Sequence, residues 1–264
     1  MERPTMAKAL QARLTEGLAE QLDTRAAEIM AELRAVRAEL TETREQLAHA
    51  ILMYEIRQRR DTVFAGEARA ARESEAFAAE HLAGAKQCPN PEATILFATE
   101  RVSLDGPIVQ VGTADGSVLA KLVAYLRGRE VFGFGMSSGL PEDWRPGFPK
   151  GSFAQDGLPE VRGATIVDGP YEQTLAAWKA EHTEPIALLY LDTTIYSSTS
   201  AVLDLLADRL ASGTIIVLDE YFNYPGWQDG EFKALGEFVE RSGIGFRYEG
   251  YTFDNEQVVV SVQR

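Results

Sequence analysis

Three acidic residues directly follow two apolar runs in the second half of the chain. Asp192 ends the run "IALLYLD", and Asp219 and Glu220 end the run "TIIVLDE". If the two runs are neighbouring strands of a parallel sheet, these carboxylates meet at one edge, where they repel one another unless a cation lies between them. Carboxylate oxygens are ligands that suit Mg²⁺ or Ca²⁺. The pattern therefore favours a divalent metal site, and solvated acids at the strand ends are the alternative.

A glycine-containing turn follows an earlier apolar run. "PIVQV" is followed by "GTADGS", in which Gly112 and Gly116 let the backbone come close to a ligand where a helix begins. The turn lacks the G-x-G-x-x-G pattern of dinucleotide sites and the G-x-x-x-x-G-K-[ST] pattern of phosphate loops. Glycines at such a turn also serve close packing, so the turn alone does not identify a ligand.

The elements that carry these residues alternate in type. Strand-like runs are separated by helix-like stretches such as "GSVLAKLVAYL" and "STSAVLDLLADRL". Such alternation predicts an α/β fold with a parallel sheet that is buried on both faces. The last segment, "GFRYEGYTFDNEQVVVSV", predicts two strands joined by a turn at "DNE", so that the sheet closes with an antiparallel hairpin.

The N-terminal part of the chain has a different pattern. Residues from Met6 to Arg60 contain no proline and are rich in strong helix formers, which predicts one long helix. Within it, apolar and small residues recur at alternating steps of four and three: Leu22, Ala26, Ile29, Leu33, Val36, Leu40, Thr43, Leu47, Ala50 and Tyr54. This is the seam of a coiled coil, which favours a homodimer or higher homo-oligomer over packing on the chain's own domain.

We therefore expect three parts: a dimerisation helix over 1–60, a helical connector over 61–103 and a sheet domain over 104–264. No stretch approaches the ~20 apolar residues that span a bilayer, and the N-terminus lacks the apolar core of a signal peptide, so we expect a cytoplasmic protein without a membrane partner. The net charge of −14 argues against a nucleic-acid partner. The single cysteine, Cys88, cannot form an internal disulfide.

Several longer motifs extend this interpretation. "FGFGMSSGLPEDW", "KGSFAQDGLPEV", "DGPYEQTL", "LYLDTTIYSST" and "IIVLDEYFNYPGW" follow one another along the chain. In order and spacing they resemble class I S-adenosylmethionine-dependent methyltransferases of the macrocin O-methyltransferase type, over about residues 104–264. The resemblance implies a Rossmann-like sheet of seven strands. It also implies a divalent metal, such as Mg²⁺, held by Asp192, Asp219 and Glu220.

The activity that the resemblance implies is methyl transfer from S-adenosylmethionine to a hydroxyl group of a small molecule, such as a sugar or natural product. A metal-held hydroxyl has a lowered pKa and is a better nucleophile, and Asp192 could accept its proton. The donor would lie over the first two strand ends of the sheet domain, against Gln110, Gly112, Asp115, Gly116, Gly135 and Ser137.

Three positions depart from the family pattern. Gln110, Gly135 and Thr194 stand where the family has acidic residues. Glycine cannot accept hydrogen bonds from ribose hydroxyls through a side chain, and the hydroxyl of Ser137 or Ser138 is a weaker substitute. We therefore expect weak donor binding that a Gly135→Asp exchange would strengthen. The alternative is a degenerate family member that has lost the donor site and acts as a partner subunit or in a non-methylating reaction.

Overall fold

The structure is a computed structural model that describes residues 6–264. The chain divides into two compact units, one that ends at Phe64 and one that extends from Ala65 to Arg264. Among the described residues, no helix combines the length and the apolar character that a membrane crossing requires.

The first unit is dominated by helix α1, Met6–Arg60. Its bounds are those of the predicted helix, whose Ala, Leu, Glu and Arg residues all favour helix. The next residue, Asp61, begins α2 (Thr62–His81), because its Oδ1 accepts hydrogen bonds from the backbone N–H groups of Val63 and Phe64, each at 3.0 Å. The described side chains of α1 are exposed, including the apolar ones.

The second unit is an α/β domain. After α2, its elements in chain order are β1 (Lys86–Cys88), α3 (Pro91–Glu100), β2 (Ile108–Val111), α4 (Ser117–Tyr125), β3 (Val131–Gly135), β4 (Thr165–Asp168), α5 (Tyr171–Glu181), β5 (Leu188–Leu191), α6 (Tyr196–Leu206), β6 (Ile215–Leu218), α7 (Glu231–Ser242), β7 (Gly245–Thr252) and β8 (Val258–Gln263). The strands form one sheet in the order β1-β7-β8-β6-β5-β2-β3-β4. All neighbours are parallel except β6–β8 and β7–β8. The predicted mostly parallel sheet with a C-terminal antiparallel hairpin is confirmed.

The sheet of the described chain has eight strands rather than the seven expected. The additional strand, β1, lies in the stretch for which only helices were predicted. Its three residues pair in parallel with Gly250, Tyr251 and Thr252 of β7 at the edge of the sheet. Lys86 and Gln87 are exposed, so the segment carries no apolar strand signal, and it is extended because the edge of β7 offers it hydrogen bonds.

The central strands β2, β5 and β6 are buried at every position. This follows from helices that cover both faces, as expected for a parallel sheet. On one face Leu189 and Leu191 pack in a cluster with Val202 of α6. On the other face Leu188 packs in a cluster with Leu119 of α4. Both layers hold the strand ends in place, so residues directly after β2, β5 and β6 start from rigid positions.

The connection between β3 and β4, residues 136–164, is named the β3–β4 segment here. Within the described chain it forms neither helix nor strand, although parallel neighbours are usually joined by a helix. Its side chains form hydrogen bonds with two other parts of the domain. Gln155 Nε2 donates to the backbone oxygen of Ala114 at 3.0 Å, and Glu142 accepts from Ser197 Oγ at 2.6 Å. The segment therefore bridges the β2–α4 turn and α6.

A cluster around one arginine fixes the middle of the β3–β4 segment. The Arg145 guanidinium lies 3.9 Å from the ring centroid of Trp144 and 4.9 Å from that of Tyr224. It also forms an ion pair with Glu256 at 3.5 Å. Cation–π contacts with two rings and a partly buried carboxylate hold this part of the segment against the loop after β6.

Candidate functional site

The three predicted metal ligands are brought together by the sheet. Asp192 follows β5, and Asp219 and Glu220 follow β6. These strands are parallel neighbours whose last residues, Leu191 and Leu218, are paired. One carboxylate oxygen from each acid lies within 4.8 Å of the others. Neighbouring parallel strands thus place the three carboxylates at the same edge.

The acids differ in how many hydrogen bonds their carboxylates accept from the protein. Asp219 accepts hydrogen bonds from the hydroxyl of Tyr190, in β5, and from Gln257 Nε2, the latter at 3.1 Å. Glu220 Oε2 is buried and has no hydrogen-bond partner among residues 6–264. Asp219 is therefore held in position, whereas Glu220 keeps an oxygen that is free to bind a further group.

The electrostatics of the cluster favour a cation. Burial raises the pKa of Asp192 well above its usual range, and the charges of Asp219 and Glu231 raise it further. Burial likewise raises the pKa of Glu220, followed by the charges of Asp192 and Asp219. Both the withdrawal from water and the mutual repulsion disfavour the anionic forms, and a bound cation relieves both. The donor set of three hard oxygens, with one unsatisfied, fits Mg²⁺ or a similar ion.

A fourth acid, Glu231, lies behind the cluster and was missed by sequence reasoning. It is the first residue of α7 and is fully buried. Its Oε2 accepts from the backbone N–H of Glu220 at 3.1 Å, and its Oε1 accepts from Thr193 Oγ1 at 3.3 Å. Burial raises the pKa of Glu231 to about 8. Nothing in the local pattern marks this residue, because an acid at a helix start is ordinary.

A cavity of about 170 Å³ adjoins the cluster. It lies between the turn after β2 and the β3–β4 segment, and Asp192, Glu220, Thr113, Tyr171 and Thr194 are among its lining residues. Thr194 has a φ of +68°. A β-branched residue rarely adopts this conformation, and such strain is often found at functional sites. Thr194 thus lines the cavity with a short side chain, at a position where the resemblance implies an acid.

The polar residues predicted on the donor side are mostly satisfied by the chain itself. Gln110 is buried in β2, and its Nε2 donates to the backbone oxygen of Gly112 at 2.7 Å, which leaves Oε1 without a partner among the described residues. Asp115 accepts from the backbone N–H of Ser117 at 2.9 Å. Ser137 donates from its backbone N–H and its hydroxyl to Asp168, at 3.0 and 2.7 Å.

The predicted glycines are also accounted for by contacts within the chain. Gly112 has a φ of +88°, and a Cβ there would lie 1.8 Å from the Asp192 backbone oxygen. A Cβ at Gly116 would lie 2.9 Å from Val161 Cγ2. A Cβ at Gly135 would lie 2.4 Å from Thr113 Oγ1 and 2.8 Å from a methyl of Leu158. The expectation that Gly135→Asp alone restores an acceptor is therefore not supported.

The same contacts limit the space that is open to the nucleoside of a methyl donor. Leu158 and Val161 of the β3–β4 segment occupy the space over Gly135 and Gly116. The remaining cavity, at about 170 Å³, is below the ~300 Å³ at which ligand sites of drug-sized molecules begin. In this arrangement the chain itself fills the space over Gly135 and Gly116, so a nucleoside at this place requires the β3–β4 segment to move.

Comparison with known proteins gives a family match over part of the second unit. Residues 150–244 match the family model Macrocin-O-methyltransferase (TylF). The resemblance to this family is confirmed over that segment. The match includes Asp192, Asp219, Glu220 and Glu231, whereas Gly112, Gly116 and Gly135 lie outside it. A comparison with curated proteins gives no match.

Solved structures share the fold. The crystal structure of CalS11, a calicheamicin methyltransferase, is 23% identical, covers 64% of this chain and 77% of its own, and superposes with a TM-score of 0.54. The O-methyltransferase NovP is 19% identical, covers 66% of this chain and 79% of its own, and gives a TM-score of 0.51. The second unit therefore has a class I methyltransferase fold.

Proposed function

We propose that the protein is a metal-dependent O-methyltransferase that acts on a hydroxyl group of a natural product or a sugar. The observation that carries the proposal is the partly buried cluster of Asp192, Asp219 and Glu220, with its unsatisfied oxygen, at the wall of a cavity. The segment that contains these acids matches the macrocin-O-methyltransferase family. The likeness in fold to CalS11, a calicheamicin methyltransferase, supports a natural-product acceptor.

The roles of the residues follow from their positions. Asp192, Asp219 and Glu220 would hold the divalent ion, and Tyr190 and Gln257 keep Asp219 oriented. A divalent ion there lowers the pKa of a hydroxyl that approaches it. Asp192 both belongs to the cluster and lines the cavity, so it is placed to accept the hydroxyl proton. The acceptor itself would enter between Asp192 and the β3–β4 segment.

Methyl transfer also requires a donor, which the resemblance implies is S-adenosylmethionine. Because Leu158 and Val161 occupy the space over Gly135 and Gly116, donor binding requires this part of the β3–β4 segment to move away. The same contacts favour a second candidate function. In that case the protein is a degenerate family member that keeps the metal cluster but binds no donor, and it acts as a partner subunit or in a non-methylating reaction.

Calorimetric titration distinguishes the two functions. Mg²⁺ or Mn²⁺ is titrated first, and we expect saturable binding to the wild type that Asp192→Asn weakens at least tenfold. Asp168→Asn is the matched control, because Asp168 also ends a strand of the sheet but lies outside the cluster. Its metal affinity should equal that of the wild type.

S-adenosylmethionine is then titrated with and without the metal. Donor binding supports the methyltransferase, and metal binding without donor binding supports the degenerate member. If the wild type binds neither ligand, or if Asp192→Asn binds metal as well as the wild type does, the metal site and both functions built on it are refuted. If the wild type binds both the metal ion and S-adenosylmethionine, methyl transfer to glycosylated acceptors is tested next.

A further inference from the structure

Helix α1 carries an apolar seam that the described residues of its own unit leave uncovered. The side chains of Ile29, Leu33, Val36 and Leu40 are each about half exposed, between 48% and 60%. The seam from Leu22 to Tyr54 extends over ~50 Å of helix. Helical propensity alone stabilises such a helix poorly in water, so the seam requires a partner of similar length. A second copy of the chain offers an identical seam.

The residues of the seam can be assigned to heptad positions. The a positions hold Ala26, Leu33, Leu40, Leu47 and Tyr54, and the d positions hold Leu22, Ile29, Val36, Thr43 and Ala50, so leucine dominates a and β-branched residues dominate d. Two-stranded parallel coils prefer the reverse, with β-branched residues at a and leucine at d, whereas leucine at a with isoleucine at d shifts the preference towards three or four strands.

Positions beside the seam also widen the apolar face. Met30 and Ile51 occupy e positions and Met53 a g position, and each is about half exposed. In a two-stranded coil these positions lie at the edge of the seam, and they become more buried as more helices pack together. The broad face therefore agrees with more than two strands.

The charged residues beside the seam define the orientation. Glu32 and Glu39 occupy g positions, and Arg37 and Arg44 occupy the e positions of the following heptads. In a parallel, in-register coil each g residue faces the e residue of the next heptad on its neighbour, which pairs Glu32 with Arg37 and Glu39 with Arg44. Antiparallel packing places g beside g and e beside e, so glutamates face glutamates and arginines face arginines.

We infer that α1 assembles more than two copies of the chain as a parallel, in-register coiled coil through the seam from Leu22 to Tyr54. This inference concerns the first unit alone and does not depend on the proposed function of the second. It specifies an assembly larger than a dimer, the orientation of the helices and the charge pairs, beyond the self-association that the spacing of the seam predicts.

Light scattering on the full-length protein tests the number of chains. We expect particles of more than two chains, each of 29.1 kDa. Leu40→Glu, in the seam, should lower this number. Leu52→Glu is the matched control, because Leu52 is a leucine of the same helix with similar exposure, 54% against 48%, at an f position outside the seam. It should leave the number of chains as in the wild type. A wild type of one or two chains per particle, or equal effects of both variants, overturns the inference.

Cysteine cross-linking tests the orientation. Ala26 and Ala50 lie near opposite ends of the seam, and the wild-type Cys88 is buried. In a parallel coil Ala26→Cys links to itself under oxidation, and so does Ala50→Cys, whereas a mixture of the two gives no mixed product. In an antiparallel coil the mixed product dominates, and that result overturns the orientation. The unsubstituted protein, which should remain unlinked, is the control.

Charge exchange tests the register. Glu39→Arg should raise the concentration at half-assembly by about tenfold, since several weak ion pairs become repulsive together. Glu39→Arg combined with Arg44→Glu restores the pair with its signs exchanged and should recover wild-type assembly. If the double variant assembles no better than Glu39→Arg alone, the two positions do not face each other and the register is wrong.

Discussion

A methyl group added at Gly135 tests how the β3–β4 segment packs over the site. Gly135 is the last residue of β3 and is paired with Asp168 of β4. A Cβ built there lies 2.4 Å from Thr113 Oγ1 and 2.8 Å from Leu158 Cδ2. Both distances are below any ordinary van der Waals contact. Gly135→Ala therefore forces Thr113, Leu158 or the strand itself to move.

The expected loss in free energy of unfolding depends on which of these groups can move. β3 lies between β2 and β4 and is hydrogen-bonded to both, so the strand is fixed, and Thr113 is buried. Overpacking of a well-packed interior costs typically ~1–3 kcal/mol, and we expect about 2 kcal/mol for Gly135→Ala. For a unit of this size that corresponds to a Tm lower by about 4–8 °C.

The assay is thermal and urea unfolding at one fixed protein concentration, since assembly makes Tm depend on concentration. Gly236→Ala is the matched control: Gly236 lies inside α7, and a Cβ there meets nothing within 4 Å. It should be neutral or stabilising, because alanine favours helix over glycine by up to ~1 kcal/mol. Combining Gly135→Ala with Leu158→Ala should cost less than the sum of the two single exchanges.

If Gly135→Ala is as stable as the wild type, Leu158 does not pack over Gly135, and the space there is open to a nucleoside. The same reasoning predicts that Gly135→Asp gains no donor affinity on its own. Leu158→Ala, by contrast, opens space over Gly135 and should bind S-adenosylmethionine at least as well as the wild type, as calorimetry would show.

Three further exchanges test other parts of the second unit. Gly112→Ala places a Cβ 1.8 Å from the Asp192 backbone oxygen at a φ of +88° and should cost about 3 kcal/mol or more in urea unfolding; a loss below 1 kcal/mol would contradict the tight turn. Burial raises the pKa of Glu256 to about 7 from its usual 4.5, even though the ion pair with Arg145 lowers it, so the folded chain loses stability relative to the unfolded chain as the pH rises from about 4.5 to about 7. Relative to the wild type, Glu256→Gln should therefore gain up to ~3 kcal/mol in stability between pH 5 and pH 8, and parallel pH profiles would refute this. Asn90 Oδ1 accepts from the Ala93 N–H at 2.9 Å at the start of α3, so Asn90→Ala should lower the free energy of unfolding by ~1 kcal/mol, with Asn90→Asp as the conservative control.

Much of the architecture could be predicted from local sequence patterns. The long proline-free helix, the strands of the sheet domain and the closing hairpin each carry a periodicity or a composition that specifies the element without its neighbours. The acids Asp192, Asp219 and Glu220 could be placed at one edge for a related reason. Each directly follows an apolar run, and parallel neighbours end at the same edge of a sheet.

Other features depend on contacts between distant parts of the chain. β1 is a strand because β7 offers it an edge, and its own residues do not specify one. Glu231 joins the acidic cluster because α7 begins beside the end of β6, 11 residues along the chain from Glu220. Leu158 fills the space over Gly135 because the β3–β4 segment folds back over the sheet. The sequence by itself determined the acids and the sheet that presents them. Only the tertiary structure decided what surrounds them, since burial and close contact between distant residues are properties of the packed chain.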